Sequence, residues 1–159
     1  MGATNLSKTD TDPALLRTCI EDLYAGCRAF SKRYPSIARQ AHDAQLRKLL
    51  EELVDHALER AEKLRGLKST AEYPENLWMS GILDDADRDT QTIAHGRHLD
   101  LALIGGVRKA VVAEFVSIET AIALADATGE ADVAKALQEG HERLGEFNER
   151  LAALLSKQA

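Results

Sequence analysis

The stretch Ile104-Gly-Gly-Val-Arg-Lys-Ala-Val-Val-Ala-Glu-Phe-Val-Ser-Ile-Glu-Thr-Ala-Ile-Ala-Leu-Ala125 decides the fold. Ile104, Val107, Val111, Glu114, Ile118, Ala121 and Ala125 recur at the three- and four-residue spacing of one helix face. All are apolar except Glu114, which carries a charge at mid-length. A carboxylate in such a row is strongly disfavoured unless it is protonated, paired or bound to a metal. The row therefore predicts a helix of a bundle whose centre is polar.

The same periodicity extends outward in both directions. Leu16, Ile20, Leu23, Cys27, Phe30, Tyr34, Ile37 and Ala41 form a first helical row. Asp12 reads as its N-cap and Pro13 as its first helical residue, where a missing N–H is harmless. Pro35 is expected to kink this helix or shift its last turns. Asp43 reads as the cap of a second helix, on Leu46, Leu49, Leu50, Leu53, Ala57, Ala61 and Leu64, ending at Gly66 as a C′ glycine. Lys68 to Pro74 reads as a connector. A shorter helix over about 75–93 is expected to turn Leu77, Trp78, Gly81, Ile82 and Ala86 inward and Asp84, Asp85, Asp87 and Asp89 outward. The helix bearing Glu114 is expected to run from an N-cap at Asp100 to Ala127, with Gly105-Gly106 allowing close packing and Gly129 breaking it. A last helix over Ala131 to Ser156 follows the row Val133, Leu137, His141, Leu144, Phe147, Leu151, Leu155. Nothing reads as a strand. Four long helices with one long crossover fit an all-α, ferritin-like four-helix bundle with a shorter crossover helix between the second and third long helices. Residues 1–11 read as a flexible tail and 12–159 as a single domain.

Composition narrows the function classes. The net charge of −6 disfavours nucleic acid, which calls for a basic face. No apolar run approaches the roughly 20 residues of a spanning helix, and no signal-peptide pattern opens the chain. Aromatic residues make up only 4%, so the core must be aliphatic. Cys19 and Cys27 are eight residues apart on one helix, about 12 Å at a rise of ~1.5 Å per residue, too far for a disulfide. Reduced thiols favour a bacterial, cytoplasmic setting.

In an antiparallel bundle the helix midpoints share a depth, and they fall near Cys27, His56, Glu114 and Arg143. Two readings stay open. In the first, Cys27 is a small buried hydrophobe, His56 hydrogen-bonds its neighbours, and Glu114 pairs with Arg143 or Arg60 in a metal-free polar cluster. In the second, Cys27, His56, Glu114 and His141 hold one Zn²⁺ or Fe²⁺, because thiolate, imidazole and carboxylate are zinc ligands and iron accepts the latter two. The first is preferred, so no cofactor is expected. A di-iron centre needs Glu-x-x-His pairs, and the chain has none; His56-x-x-Glu59 and Glu139-x-x-Glu142 are the nearest spacings. His95-x-x-His98 with Asp100 has the form of a surface metal site, but reads as solvated loop and cap residues. A third reading, in which the polar centre orients a small ligand, has no sequence feature that selects it.

Several segments are similar to the stress-associated YciE/YciF ferritin-like family of bacteria. Ile20-Glu21-Asp22-Leu23-Tyr24-Ala25 resembles the family's Leu-x-Asp/Glu-Leu-Tyr-x-Ala. Tyr34-Pro35-Ser36-Ile37-Ala38 resembles Leu-Pro-Lys-Met-Ala, and Met79-Ser80-Gly81-Ile82-Leu83-Asp84-Asp85 resembles Met-x-Gly-Leu-Ile-x-Glu. Asp100-Leu101-Ala102-Leu103-Ile104 resembles Asp-Ala-Ala-Leu-Ile. The resemblance also exposes departures. Cys27 and His56 stand where the family has Glu, Ala110-Val111-Val112-Ala113-Glu114 stands for Val-Glu-His-Tyr-Glu, and Arg143-Leu144 falls on a Glu-Glu pair. What the resemblance implies is a di-iron scaffold that has lost most of its carboxylates. The expected function is then non-catalytic, a structural or interaction role tied to stress, in a homodimer. Leu101, Leu103, Phe115 and Val116 are the candidate partner surface, and no membrane or nucleic-acid partner is expected.

Overall fold

A computed structural model describes residues 9–67 and 73–158. The chain order is α1 (Asp12–Ala38), α2 (Ala44–Leu67), α3 (Leu77–Thr92), α4 (Arg97–Ala127) and α5 (Ala131–Gln158). Residues 1–8 of the expected tail and 68–72 of the expected connector lie outside the described residues. The hairpins α1–α2 and α4–α5 form the two halves of the bundle. They close along α1–α4 on one side and, more thinly, along α2–α5 on the other, which leaves α2 diagonal to α4. The crossover helix α3 lies over α1 and α4.

The periodic rows face the core as the spacing predicts. Every apolar member of the α1, α2 and α4 rows is buried, and Glu114 with them. On α5 the row is buried except at His141 and Leu155, which are partly exposed. The core is mostly aliphatic, with Tyr24, Phe147 and Phe30 stacked on Tyr34 at 4.5 Å as its aromatic members. Gly96 and Gly129 turn the chain into and out of α4 with φ of +114° and +72°, a backbone that side chains disfavour.

The helix ends depart from the sequence reading in instructive ways. The N-cap of α1 is Thr11, whose hydroxyl accepts from the Ala14 N–H, and Asp12 lies inside the first turn. The helix continues past Pro35 to Ala38. Asp43 does cap α2, accepting from the Leu46 N–H at 2.9 Å, but Gly66 lies within the helix and not beyond it. Gly96, and not Asp100, precedes α4. Asp100 is buried in the first turn, where its two oxygens accept from the His42 and Asp43 N–H groups at 2.7 and 2.9 Å. A local capping motif and a long-range clamp look alike in sequence, since both place an acid at a helix start.

The inward face of α3 is also rotated from expectation. Met79, Leu83 and Ala86 are buried, Trp78 and Ile82 are partly covered, and Leu77 is 77% exposed with Gly81 exposed beside it. Buried Asn76 fixes this rotation. It accepts from the Met79 N–H as the N-cap of α3 and donates to the Asp22 carbonyl of α1, both at 2.9 Å. Gly26 makes room for it, since a Cβ there would lie 2.9 Å from Asn76 Nδ2. Gly105 and Gly106 have no such role, as nothing lies near where their Cβ atoms would be. Arg33 of α1 donates to Asp84 and Asp87 of α3 at 2.7 and 2.8 Å and anchors the acidic face.

Candidate functional site

Arg60 and Glu114 form the centre of the bundle. Arg60 Nη2 meets Glu114 Oε2 across the α2–α4 diagonal, with both side chains over nine-tenths buried. Burial pushes the Glu114 carboxyl above the usual carboxylate range, and the charge and hydrogen bond of Arg60 oppose it. Burial likewise works against the guanidinium, but its acidic neighbours, Glu114 with its hydrogen bond among them, outweigh it and leave its pKa raised. Each partner offsets part of the penalty of burying the other.

Cys27 projects from α1 beside this pair. Burial pushes its thiol up to about 12, with Arg60 lowering and Glu114 raising it in smaller measure. A thiol so protonated is a poor nucleophile. His56, one turn before Arg60 on α2, is buried with neither ring nitrogen hydrogen-bonded, and its ring is 5.3 Å from that of Phe147. Burial, then the charges of Arg60, Arg143 and Lys63, depress its pKa to about 3, so it is neutral. Among the described residues the Arg60 Nε and the Tyr34 hydroxyl are likewise buried without a hydrogen-bond partner.

The structure separates the remaining candidates from this centre. His141 stacks on Phe115 at 3.6 Å and shares a 3.1 Å hydrogen bond with Glu119 near the surface. Arg143 is exposed, its guanidinium 5.9 Å from the Phe147 ring, so the pairing with Glu114 falls to Arg60. A sequence signal for Arg60 was available. It occupies the core-facing spacing Leu53, Ala57, Arg60, Leu64, as Glu114 does on α4. His95 pairs with Gln40 at 2.9 Å, while Asp100 is committed to its clamp. Of the apolar residues expected at a partner surface, Leu103 is in the core and Phe115 lies under His141. Val116 is exposed, as is Val112 one turn away.

A di-iron centre draws on at least four carboxylates from four helices. The buried acids among the described residues are Asp100 and Glu114, one clamped and the other matched by a guanidinium. The residues present do not fit a two-metal centre. Among the described residues no three His, Cys, Asp or Glu side chains are grouped so as to hold a metal ion. No described helix is long and apolar enough to cross a membrane.

Comparison with known proteins agrees with this architecture. The crystal structure of the E. coli stress protein YciF superposes with a TM-score of 0.89 at 19% identity, covering 94% of this chain and 97% of that one. YcfI from Rhodopseudomonas palustris, for which a structural role is conjectured, gives 0.84 at 22% identity, covering 92% and 96%. At these identities the likeness is one of fold. No curated protein matches the sequence. The family model of a domain of unknown function, DUF892, matches residues 13–159, and the chain belongs to that family as a YciF-type ferritin-like bundle.

Proposed function

We propose that this protein is a non-catalytic ferritin-like module with a degenerate di-iron site, with a structural or interaction role in the bacterial stress response, in which an ion pair occupies the bundle centre. The observation that carries the reading is the contact of Arg60 with Glu114. A fixed internal cation supplies the positive charge that a metal would otherwise supply to the carboxylate, and it cannot change oxidation state or exchange ligands. The stress association rests on the likeness to E. coli YciF. The module is a cytoplasmic homodimer formed from one domain, with exposed Leu77, Val112 and Val116 as its contact surface.

Elemental analysis of untagged protein never exposed to chelator tests the central claim. Less than about a tenth of an equivalent of zinc, iron or manganese is expected, since a structural metal would be retained at near unit stoichiometry. A full equivalent lost on Glu114→Gln would overturn the proposal in favour of a mononuclear site on Cys27, His56 and Glu114. Light scattering after size exclusion tests the dimer, and a monomer at micromolar concentration excludes it.

A further inference from the structure

Helix α4 packs against α1, α3 and α5 and leaves a strip of its surface exposed. Gly105, Lys109, Val112, Val116, Glu119 and Ala123 are all exposed and follow one another at alternating spacings of four and three residues. That is the spacing of a coiled-coil seam, on the far side of the helix from the Glu114 row. Val112 and Val116 are 45% and 54% exposed, and Trp78 of α3 lines the groove beside them. A strip that meets only water is charged, as Glu51, Asp55 and Glu62 make the outer face of α2. Gly105 is in the interior of α4, where glycine weakens a helix. Neither a positive φ nor a neighbour within the chain requires it, since nothing lies near where its Cβ would be. Its place in the seam suits close approach by a helix from outside the chain.

The strip reads alike in both directions about position 114: small residue, charge, valine, valine, charge, small residue. We propose that α4 pairs antiparallel with α4 of a second copy of this chain, about a two-fold axis at the level of residue 114. Val112 then faces the partner's Val116, Lys109 the partner's Glu119, and Gly105 the partner's Ala123, each contact occurring twice. A two-fold interface needs such a self-complementary patch. The charges select this arrangement against its competitors. A parallel pair in register sets Lys109 on Lys109 and Glu119 on Glu119. A slip of seven residues in either direction sets Lys109 against Val112 or Glu119 against Val116. A charge within a seam fixes register and orientation in this way, at some cost in stability.

Both charges are free to make the contact. Lys109 is exposed and makes no ion pair among the described residues. Glu119 shares one oxygen with His141 at 3.1 Å, and with its side chain 54% exposed the second oxygen is open. The valines and the small residues at either end supply the packing, because exposed ion pairs add little affinity of their own. The pairing rests on the homodimer proposed for this protein and gives that dimer its seam, its orientation and its register.

Sedimentation equilibrium of the full-length protein and of its Lys109→Glu and Glu119→Lys variants tests this. Each variant alone sets like charges together at both ends of the seam and is expected to weaken the dimer at least about tenfold. Mixed in equal amounts, the two variants regain opposite charges at both contacts. They are expected to form a heterodimer within about threefold of the parent's affinity, which a variant that merely misfolds could not do. A monomeric parent at micromolar concentration would overturn the homodimer and the pairing together. A parent dimer that neither substitution weakens would keep the homodimer but overturn the α4 seam. Weakened variants that fail to associate on mixing would overturn the antiparallel register.

Discussion

Arg60 on α2 meets Glu114 on α4 across the bundle diagonal, and this pair joins two helices that otherwise have little contact. Its energetics are asymmetric. Removing one partner leaves an uncompensated buried charge, at a cost of about 3–5 kcal/mol, whereas replacing both with apolar groups of similar volume is often neutral or stabilising. Glu114→Gln alone is therefore expected to lose that amount in urea unfolding. Arg60→Met with Glu114→Leu is expected to return to within about 1 kcal/mol of the parent. Additive losses in the double variant would show that the two side chains contribute separately and not as a pair.

The neutral, buried His56 predicts how stability depends on pH. Its folded pKa of about 3 lies below the ordinary value of 6.5, so between these values the unfolded chain binds a proton that the folded chain does not. Stability from this group is complete above about pH 6.5 and declines as pH falls toward 3, a loss of about 2 kcal/mol by pH 5. His56→Leu is expected to flatten the decline between pH 6.5 and 5 in chemical denaturation. An unchanged slope would assign the acid sensitivity to other groups.

The helices and their inward faces were legible because aliphatic periodicity is repeated over many turns, so that an error at one residue does not rotate a row. On α1, Leu16 through Ile37 satisfy the spacing without exception, and Ala41 beyond its end is buried with them. The span of the short helix α3 and its inward Ala86 are legible too, but Leu77 and Gly81 face outward, since the helix's orientation depends on Asn76 bonding to a carbonyl of α1, a contact with no local signature. At the centre, Glu114 declared itself as a charge in an apolar row, but the choice of Arg60 over Arg143 depended on which residue of each turn faces inward. His141 shared the α5 row and still left the core, because Phe115 and Glu119 of α4 offered it a stacked, hydrogen-bonded position near the surface.

Asp100 ties the start of α4 to the turn between α1 and α2 through two backbone N–H groups. Being 1% exposed, its carboxylate depends on those donors in place of water. Asp100→Ala leaves both N–H groups without their acceptor and is expected to cost roughly 2–4 kcal/mol, since bonds to a charged group contribute ~1.5–3 kcal/mol each and some water enters. Asp100→Asn keeps one oxygen and is expected to cost about half as much. Equal losses in the two variants would mean that the charge, near the starts of α2 and α4, matters more than the second acceptor.

Asn76 makes the last prediction, because one side chain both starts α3 and joins it to α1. Its Oδ1 caps the Met79 N–H and its Nδ2 donates to the Asp22 carbonyl. Asn76→Asp keeps the cap but replaces the donor with an oxygen facing a carbonyl, whereas Asn76→Ser keeps a shorter cap and loses the reach to α1. A lost N-cap costs about 1 kcal/mol and an unpaired buried carbonyl about 1–3 kcal/mol. Asn76→Asp is therefore expected to be the more harmful despite preserving helix initiation. The loss should be concentrated in α3, as faster amide exchange over Leu77–Thr92 with slow exchange retained in α1 and α4. Uniform loss of protection across all five helices would instead make α3 part of the same cooperative unit as the bundle, with Asn76 contributing to the stability of the whole.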